Sequence, residues 1–345
     1  MRNRLNYFLK VNIGAPMPNG GVCNYDADRI MEKAGLIPVV FPYNGWWGFQ
    51  KLKQLTYLIK CFITIQRGAY FIFQFPLYHR LGGWLIRALA KYKQVQPVCF
   101  VIDVDGVRDG STKLLNKEIS ELKQFSYFIA PNDRMKKWLL NLAPGAKITT
   151  IDFFDFLTEP TPVQRTKNAS VVFAGNLSKS SFINQLDQLQ NCSNTSFYIY
   201  GQKGSVTIPE NNRIHYKGII DPYQLPRQLT ASFGLVWDGN CIDSCCGPNG
   251  EYLKYYSPHK LSSYIMGAMP VIAPENSASG DLVKKYKIGI CINSLHDIEK
   301  TITGLSEEDY EQMVANTRIL AGKISTGYCL QTAISNLLVL NPLQG

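Results

Sequence analysis

At 345 residues, 46% of them hydrophobic and 18% charged, the chain has material for two globular domains and is too apolar for disorder. Nine dispersed cysteines with no C-x-x-C pair, and only four histidines, argue against a zinc module and a disulfide framework and fit a reducing, cytoplasmic setting. The net charge of +10 is uneven: residues 1–160 hold 21 Lys/Arg against 12 Asp/Glu, and residues 161–345 hold 15 against 14, so the first half suits an anionic partner, a membrane surface before nucleic acid, or is simply a solvated basic surface.

The opening residues, MRNRLNYFLKVNIG, show no small-residue cleavage pattern, so no signal peptide is expected. Apolar runs then predict strands at Phe8–Ile13, Ile37–Phe41, Tyr70–Phe75, Val98–Ile102, Phe125–Ile129 and Ile148–Ile151. Amphipathic stretches between them predict helices at Ala27–Ala34, Leu52–Ile65, Leu81–Tyr92, Lys113–Leu122 and Asp133–Leu142. The longest apolar stretch, Leu58 to Tyr78, is interrupted by Lys60, Gln66, Arg67 and Gln74, which excludes a spanning helix of about 18 residues. A polar stretch with two prolines, LTEPTPVQRTKN at 157–168, reads as a linker. Alternation restarts with strands at Val171–Phe173, Phe197–Tyr200, Phe233–Trp237, Pro270–Ile272 and Gly289–Ile292, and a short run at Ile214–Tyr216. Helices at Glu307–Ile324 and Thr326–Leu340 close the chain. The pattern predicts two doubly wound α/β domains, residues 1–156 and 169–322, with a final helix in 323–345 and a ligand cleft at the carboxyl ends of the strands.

The segment Gly250–Pro270, GEYLKYYSPHKLSSYIMGAMP, is the most informative. Ser257 suits a helix cap, Pro258 the first helical position and Gly267 the stop. His259 and Lys260 stand just inside that start, where free N–H groups and the positive dipole end favour a phosphate or diphosphate. A capped helix with a surface lysine is the plainer reading. After Val171–Phe173 come Gly175, Asn176, Ser178 and Lys179, which suit phosphate oxygens or an ordinary capped turn. Gly201 and the loop Gly218–Pro222, with Ile219 within it, could seat a nucleobase, and Asp238 closes another strand. The loop Asn12–Gly21 lacks the G-x-G-x-x-G spacing, so the ordinary dinucleotide fingerprint is absent.

In the first half, CFVIDVDGVR at 99–108 ends a strand in Asp103 and Asp105, with Arg108 beyond. Carboxylates there are candidate general bases. They also fit a Mg²⁺ or Mn²⁺ site, resemble the D-x-D-G motif of haloacid dehalogenase-type phosphatases, or are two solvated turn residues. No paired-acid motif follows at a later strand end, and the phosphate-ready lysines lie in the other half. Trp46, Trp47, Phe49, Lys51 and Lys53 form an aromatic, basic cluster that reads as core or oligomer contact before membrane contact.

Three segments carry a resemblance: AGNLSKSSFI at 174–183, the long run 233–272 and VIDVDGVR at 101–108. In their order and spacing they resemble the bacterial galactofuranosyltransferases of polysaccharide and O-antigen assembly and the related glucosyltransferase-3-like enzymes. That resemblance implies a GT-B fold of two Rossmann-like domains facing across a cleft, with the acceptor in the amino-terminal domain and the nucleotide sugar in the carboxyl-terminal one. It implies a UDP-sugar donor, an oligosaccharide or lipid-linked glycan acceptor, no cofactor, no metal and no nucleic acid. Peripheral membrane contact and homo-oligomers stay open.

By matching motif, Gly175, Asn176, Lys179 and the run Ser257, Pro258, His259, Lys260, Leu261, Ser262 would hold the diphosphate. The loop at Ile219 would hold the uridine, and Asn19, Gly20 and Gly21 would close over the donor. Outside that carry-over, Arg108 and Asp238 are read as acceptor-binding or orienting residues. Close relatives place a His-Asp pair where this chain has Ile102-Asp103, leaving Asp103 or Asp105 as base. The retaining pattern of two glutamates eight apart is replaced by Tyr255 and Ser263, which favours inversion. A glucosyltransferase acting on a glycoprotein glycan, and a non-catalytic partner subunit that binds sugar nucleotide, are the alternatives.

Overall fold

The computed structural model describes residues 5–10, 21–40, 47–78, 80–209 and 211–339. The expected alternation builds two six-stranded sheets. The first comprises β1 (Tyr7–Lys10), β2 (Ile37–Val40), β3 (Tyr70–Phe75), β4 (Gln96–Val101), β5 (Tyr127–Ala130) and β6 (Lys147–Thr150), in the order β2-β1-β3-β4-β5-β6. The second comprises β7 (Ser170–Ala174), β8 (Ser196–Tyr200), β9 (Ile214–Gly218), β10 (Phe233–Leu235), β11 (Val271–Pro274) and β12 (Gly289–Ile292), in the order β12-β11-β10-β7-β8-β9. Each ladder is parallel, such as Tyr70–Phe75 beside Gln96–Val101, so each sheet needs helices on both faces.

Three helices of the first lobe matter below: α1 (Val22–Lys33), α2 (Trp47–Thr64) and α3 (Arg80–Lys93). The fully buried strand Tyr70–Phe75 has apolar clusters on either side, one with Leu85, Ile86 and Leu89 of α3, the other with Ile30 and Met31 of α1. The second sheet is buried likewise, around Phe173, Phe197 and Trp237 on one face and Tyr264, Ile265 and Met269 on the other. Tyr264 joins two strands of it: its hydroxyl accepts from the Ala174 amide at 2.9 Å and donates to the Leu235 carbonyl at 3.0 Å.

Several boundaries differ from expectation. The first strand ends at Lys10 among the described residues, and 11–13 lie outside them. The segment after β7 forms 3-10 turns at Leu177–Lys179 and Ser181–Gln188 in place of a helix. Two cysteines bond despite the argument against disulfides. Gly239, at φ 101° with its would-be Cβ 2.1 Å from the Cys246 carbonyl oxygen, lets the loop double back and joins Cys241 to Cys246, Cα atoms 5.8 Å apart.

The chain crosses between lobes twice. It runs without helix or strand from 151 to 169, and later the helix Tyr328–Val339 returns to the first sheet. Leu330, Ala333, Ile334 and Leu337, one face by helical spacing, pack with Phe8, Ile72 and Phe100. Buried carboxylates hold these crossings. Asp155 accepts the Cys329 and Leu330 amides at 3.1 and 2.7 Å, capping the final helix. Asp26 of α1 accepts the Leu157 amide and the Tyr223 hydroxyl, both at 2.8 Å.

Burial pushes the Asp155 carboxyl up to about 7, against the lowering effect of those amides. The folded state therefore binds this proton more tightly than the unfolded chain. The stabilisation is complete below the usual aspartate range near pH 4 and is lost as pH rises through about 7. In denaturant unfolding, wild type is expected to lose stability relative to Asp155→Asn across that window, by at most about 1.4 kcal/mol per pH unit. Parallel pH profiles would contradict this.

Candidate functional site

A cavity of about 310 Å³ opens between the lobes at the carboxyl ends of both sheets. Two helix starts face it. Gly21, Val22 and Cys23 bring the start of α1, and Pro258, His259 and Lys260 bring the start of the helix His259–Met266. Gly175, Asn176 and Lys179 follow β7, and Tyr200 and Gly201 end β8. Ile219, Ile220, Pro222 and Leu225 form an apolar wall. Gly201 is demanded by close approach: its φ is 134°, and a Cβ would fall 1.8 Å from the Gly175 carbonyl oxygen.

Lys260 is already engaged. Its Nζ lies 2.9 and 3.0 Å from the two oxygens of Asp238 and 4.2 Å from the Phe173 ring centroid. Ser180 donates to the same carboxylate at 2.8 Å. Asp238, read from sequence as an acceptor-binding or orienting residue, fixes the lysine at the head of the helix. Gly175 leaves room beside it, with a built Cβ 3.6 Å from Lys260 Cε. Lys179 is exposed and lines the cavity.

His259 is held by the main chain of Asp155, while its Nε2 is buried with no partner among the described residues. Burial drives its pKa down to about 4. The ring is neutral near pH 7, so Nδ1 donates to Asp155 and Nε2 carries the lone pair. It is an acceptor, unsuited to phosphate oxygens and suited to a hydroxyl.

The first lobe supplies Asp103 and Arg108. Arg108 pairs with Asp103, with Asp105 at 2.8 Å and with Asp109 at 2.8 Å. Asp103 lines the cavity, whereas Asp105 stands behind it, bonded by the Tyr78 hydroxyl at 2.6 Å. Glu118 holds the turn by accepting the Asp105 and Gly106 amides at 3.0 and 2.7 Å. Tyr252, from the second lobe, accepts the Val104 amide at 2.8 Å and stacks on Tyr256 with centroids 5.1 Å apart. Burial, then the Asp103 charge, pushes its hydroxyl well above the usual phenol range, so it stays protonated beside that carboxylate. Burial and Asp103 likewise push the Cys23 thiol up to about 12, which leaves it a poor nucleophile.

The cavity thus brings together Asp103, Arg108, Gly175, Asn176, Lys179, Ile219, Asp238, Pro258, His259 and Lys260. Three expectations fail on geometry. Ser257 does not cap the helix: Pro258 takes the cap position, and the buried Ser257 hydroxyl accepts from the Asn132 amide at 2.9 Å. Leu261 is in the apolar core, and the Ser262 hydroxyl donates to the Phe154 carbonyl at 2.6 Å. Asn19 and Gly20 lie outside the described residues. Sequence reasoning reached Gly21 at the start of α1 but missed Val22 and Cys23 beyond it, and Tyr252 and Tyr256, whose spacing of four was the available signal.

Family models match both lobes. The N-terminal domain of the glucosyltransferase 3-like family matches residues 26–150, and its C-terminal domain matches 171–337. The chain belongs to the glucosyltransferase 3-like family of glycosyltransferases. It is 30% identical over 268 residues to the β-1,6-galactofuranosyltransferase WbbI of Escherichia coli K12, covering 74% of this chain and 75% of that protein. It is 24% identical over 313 residues to glucosyltransferase 3 of Streptococcus gordonii, covering 89% and 90%. Among solved structures, Anabaena HepE with UDP and glucose superposes over 98% of this chain and 100% of its own, with a TM-score of 0.63 at 13% identity. Sucrose-phosphate synthase from Thermosynechococcus elongatus gives 0.64 at 11%, covering 98% and 99%. The architecture is the two-domain, Rossmann-like GT-B fold that the motifs implied.

Replacing Gly201 by alanine is expected to destabilise the second lobe by about 1–3 kcal/mol, because the strand ends at Gly175 and Gly201 must separate. The readout is the midpoint of chemical unfolding; an unchanged midpoint would refute the close approach.

Proposed function

We propose that this glycosyltransferase moves a hexose from a UDP-sugar to a hydroxyl of an oligosaccharide or lipid-linked glycan, with inversion and without a metal. Galactofuranose is the sugar put first, because the relative at 30% identity carries that name; the relatives named glucosyltransferase 3 make glucose the alternative. The observation that carries the reading is the cavity itself: Lys179, Lys260 and the start of the helix His259–Met266 on the second-lobe wall, Asp103 with Arg108 and the start of α1 on the first.

The start of the helix His259–Met266, Lys260 and Lys179 receive the diphosphate and stabilise the charge that grows on it as the glycosidic bond breaks. The wall of Ile219, Ile220, Pro222 and Leu225 takes the uracil. Asp103 takes the proton of the acceptor hydroxyl as that oxygen attacks the anomeric carbon and UDP departs on the opposite side. Inversion is supported by the lining: its carboxylates are Asp103 and the lysine-bound Asp238, and Ser263 stands where a retaining site would place an acid. Metal independence is supported by Arg108, which already occupies Asp103 and Asp105.

In a transfer assay with UDP-galactofuranose and UDP-glucose, Asp103→Asn is expected to lower kcat by about 10²–10⁴ with UDP affinity kept. Asp105→Asn should cost less, since it acts through Arg108. Turnover that survives at Asp103 removes it as the base. Excess EDTA is expected to leave the rate unchanged, and a metal-dependent rate would overturn the cation-free reading.

A further inference from the structure

The most one-sided surface of the chain lies away from the cleft. Between Lys33 and Ile102 the sequence has nine Lys/Arg and not one Asp or Glu. This stretch supplies α2 and α3, which pack side by side over the first sheet. On α2, Leu52, Leu55, Ile59 and Ile63 are 59, 54, 53 and 72% exposed. Steps of three, four and four place them in one stripe. Leu58, Cys61 and Ile65 bury another face of the helix into the core, and the exposed Lys53 and Lys60 border the stripe by helical register.

The stripe continues onto α3. Tyr92, 65% exposed, meets Phe62 edge-on with ring centroids 6.4 Å apart. Lys93 donates to the carbonyls of Phe62 and Ile63 at 2.6 and 3.2 Å, which fixes the two helices as one layer. Trp84 adds a further exposed ring, 54% open, on α3.

We propose that this α2–α3 face seats the protein on an anionic bilayer surface. Exposed aliphatic and aromatic side chains enter the acyl boundary while the bordering lysines and arginines meet lipid phosphates. A solitary apolar stripe would suit many partners; the lack of any carboxylate over seventy consecutive positions selects a polyanionic one. It also disfavours a twofold contact between copies, which would oppose this cationic face to itself. Among the described residues no helix is long and apolar enough to cross a membrane, so the contact is with the surface. The proposal does not rest on the donor sugar or on the base.

The test is sedimentation of the full chain with vesicles of phosphatidylcholine alone and with phosphatidylglycerol added. Wild type is expected to pellet with the mixed vesicles, to remain in solution with phosphatidylcholine, and to be released as salt is raised. Leu55→Gln/Ile59→Gln and, separately, Lys53→Gln/Lys60→Gln should each weaken partition by roughly tenfold or more, with UDP binding and thermal unfolding retained. Wild type left in solution with anionic vesicles overturns the proposal, as does either pair pelleting like wild type. So does a dimer, seen by light scattering, that Leu55→Gln/Ile59→Gln splits without any vesicle binding, since the face would then belong to a second copy.

Discussion

The ion pair between Lys260 and Asp238 governs the second-lobe side of the cavity. An unrestrained lysine would sample many rotamers and present its charge diffusely. Held at 2.9 and 3.0 Å by both oxygens of Asp238, and over the Phe173 ring, the ammonium stays at the head of its helix. Two positive contributions, the helix start and the side chain, are thereby aligned before any ligand arrives. Asp238 is itself held by Ser180, and Gly175 keeps the space beside the lysine open. The carboxylate thus gives up part of the electrostatic attraction to fix direction, which is the logic of preorganisation.

The first-lobe side is tied to this arrangement through the lobe boundary. Tyr252 and Tyr256 belong to the second lobe, yet Tyr252 bonds the Val104 amide of the first, next to Asp103. Asn132 of the first lobe bonds Ser257, directly before the cation-bearing helix. Arg134 reaches across to Asp281, with one nitrogen at 2.8 Å, and Asp152 receives Lys285 and Tyr286 at 2.6 and 2.7 Å. Asp155 serves both halves, capping the final helix with its side chain and orienting His259 with its main chain. These bonds across the boundary fix where Asp103 stands relative to His259 and Lys260.

Much of this was legible from the chain alone, for stated reasons. Tyr70–Phe75, Asp133–Leu142 and Glu307–Ile324 have the expected limits because continuous apolar runs and helical periodicity are local signals. Gly175, Lys179, His259 and Lys260 line one cavity, as their places at a strand end and a helix start implied. What was not legible depends on partners distant in sequence. Ser257 reads as a cap, but Asn132, 125 positions away, takes its hydroxyl. His259 reads only as a neighbour of Lys260 at the helix start, and its burial as a neutral ring depends on the main chain of Asp155, far away in sequence. Asp103 and Asp105 look equivalent until Tyr78 and Arg108 place one behind the other.

The central claim is that aligned positive charge around Lys260 holds a diphosphate. Calorimetric titration of UDP into wild type and Lys260→Met tests it most directly, with thermal unfolding recorded for both. The account expects at least a tenfold weaker dissociation constant in the variant, about 1.4 kcal/mol, with the fold retained. A folded variant that binds UDP as tightly as wild type would contradict it.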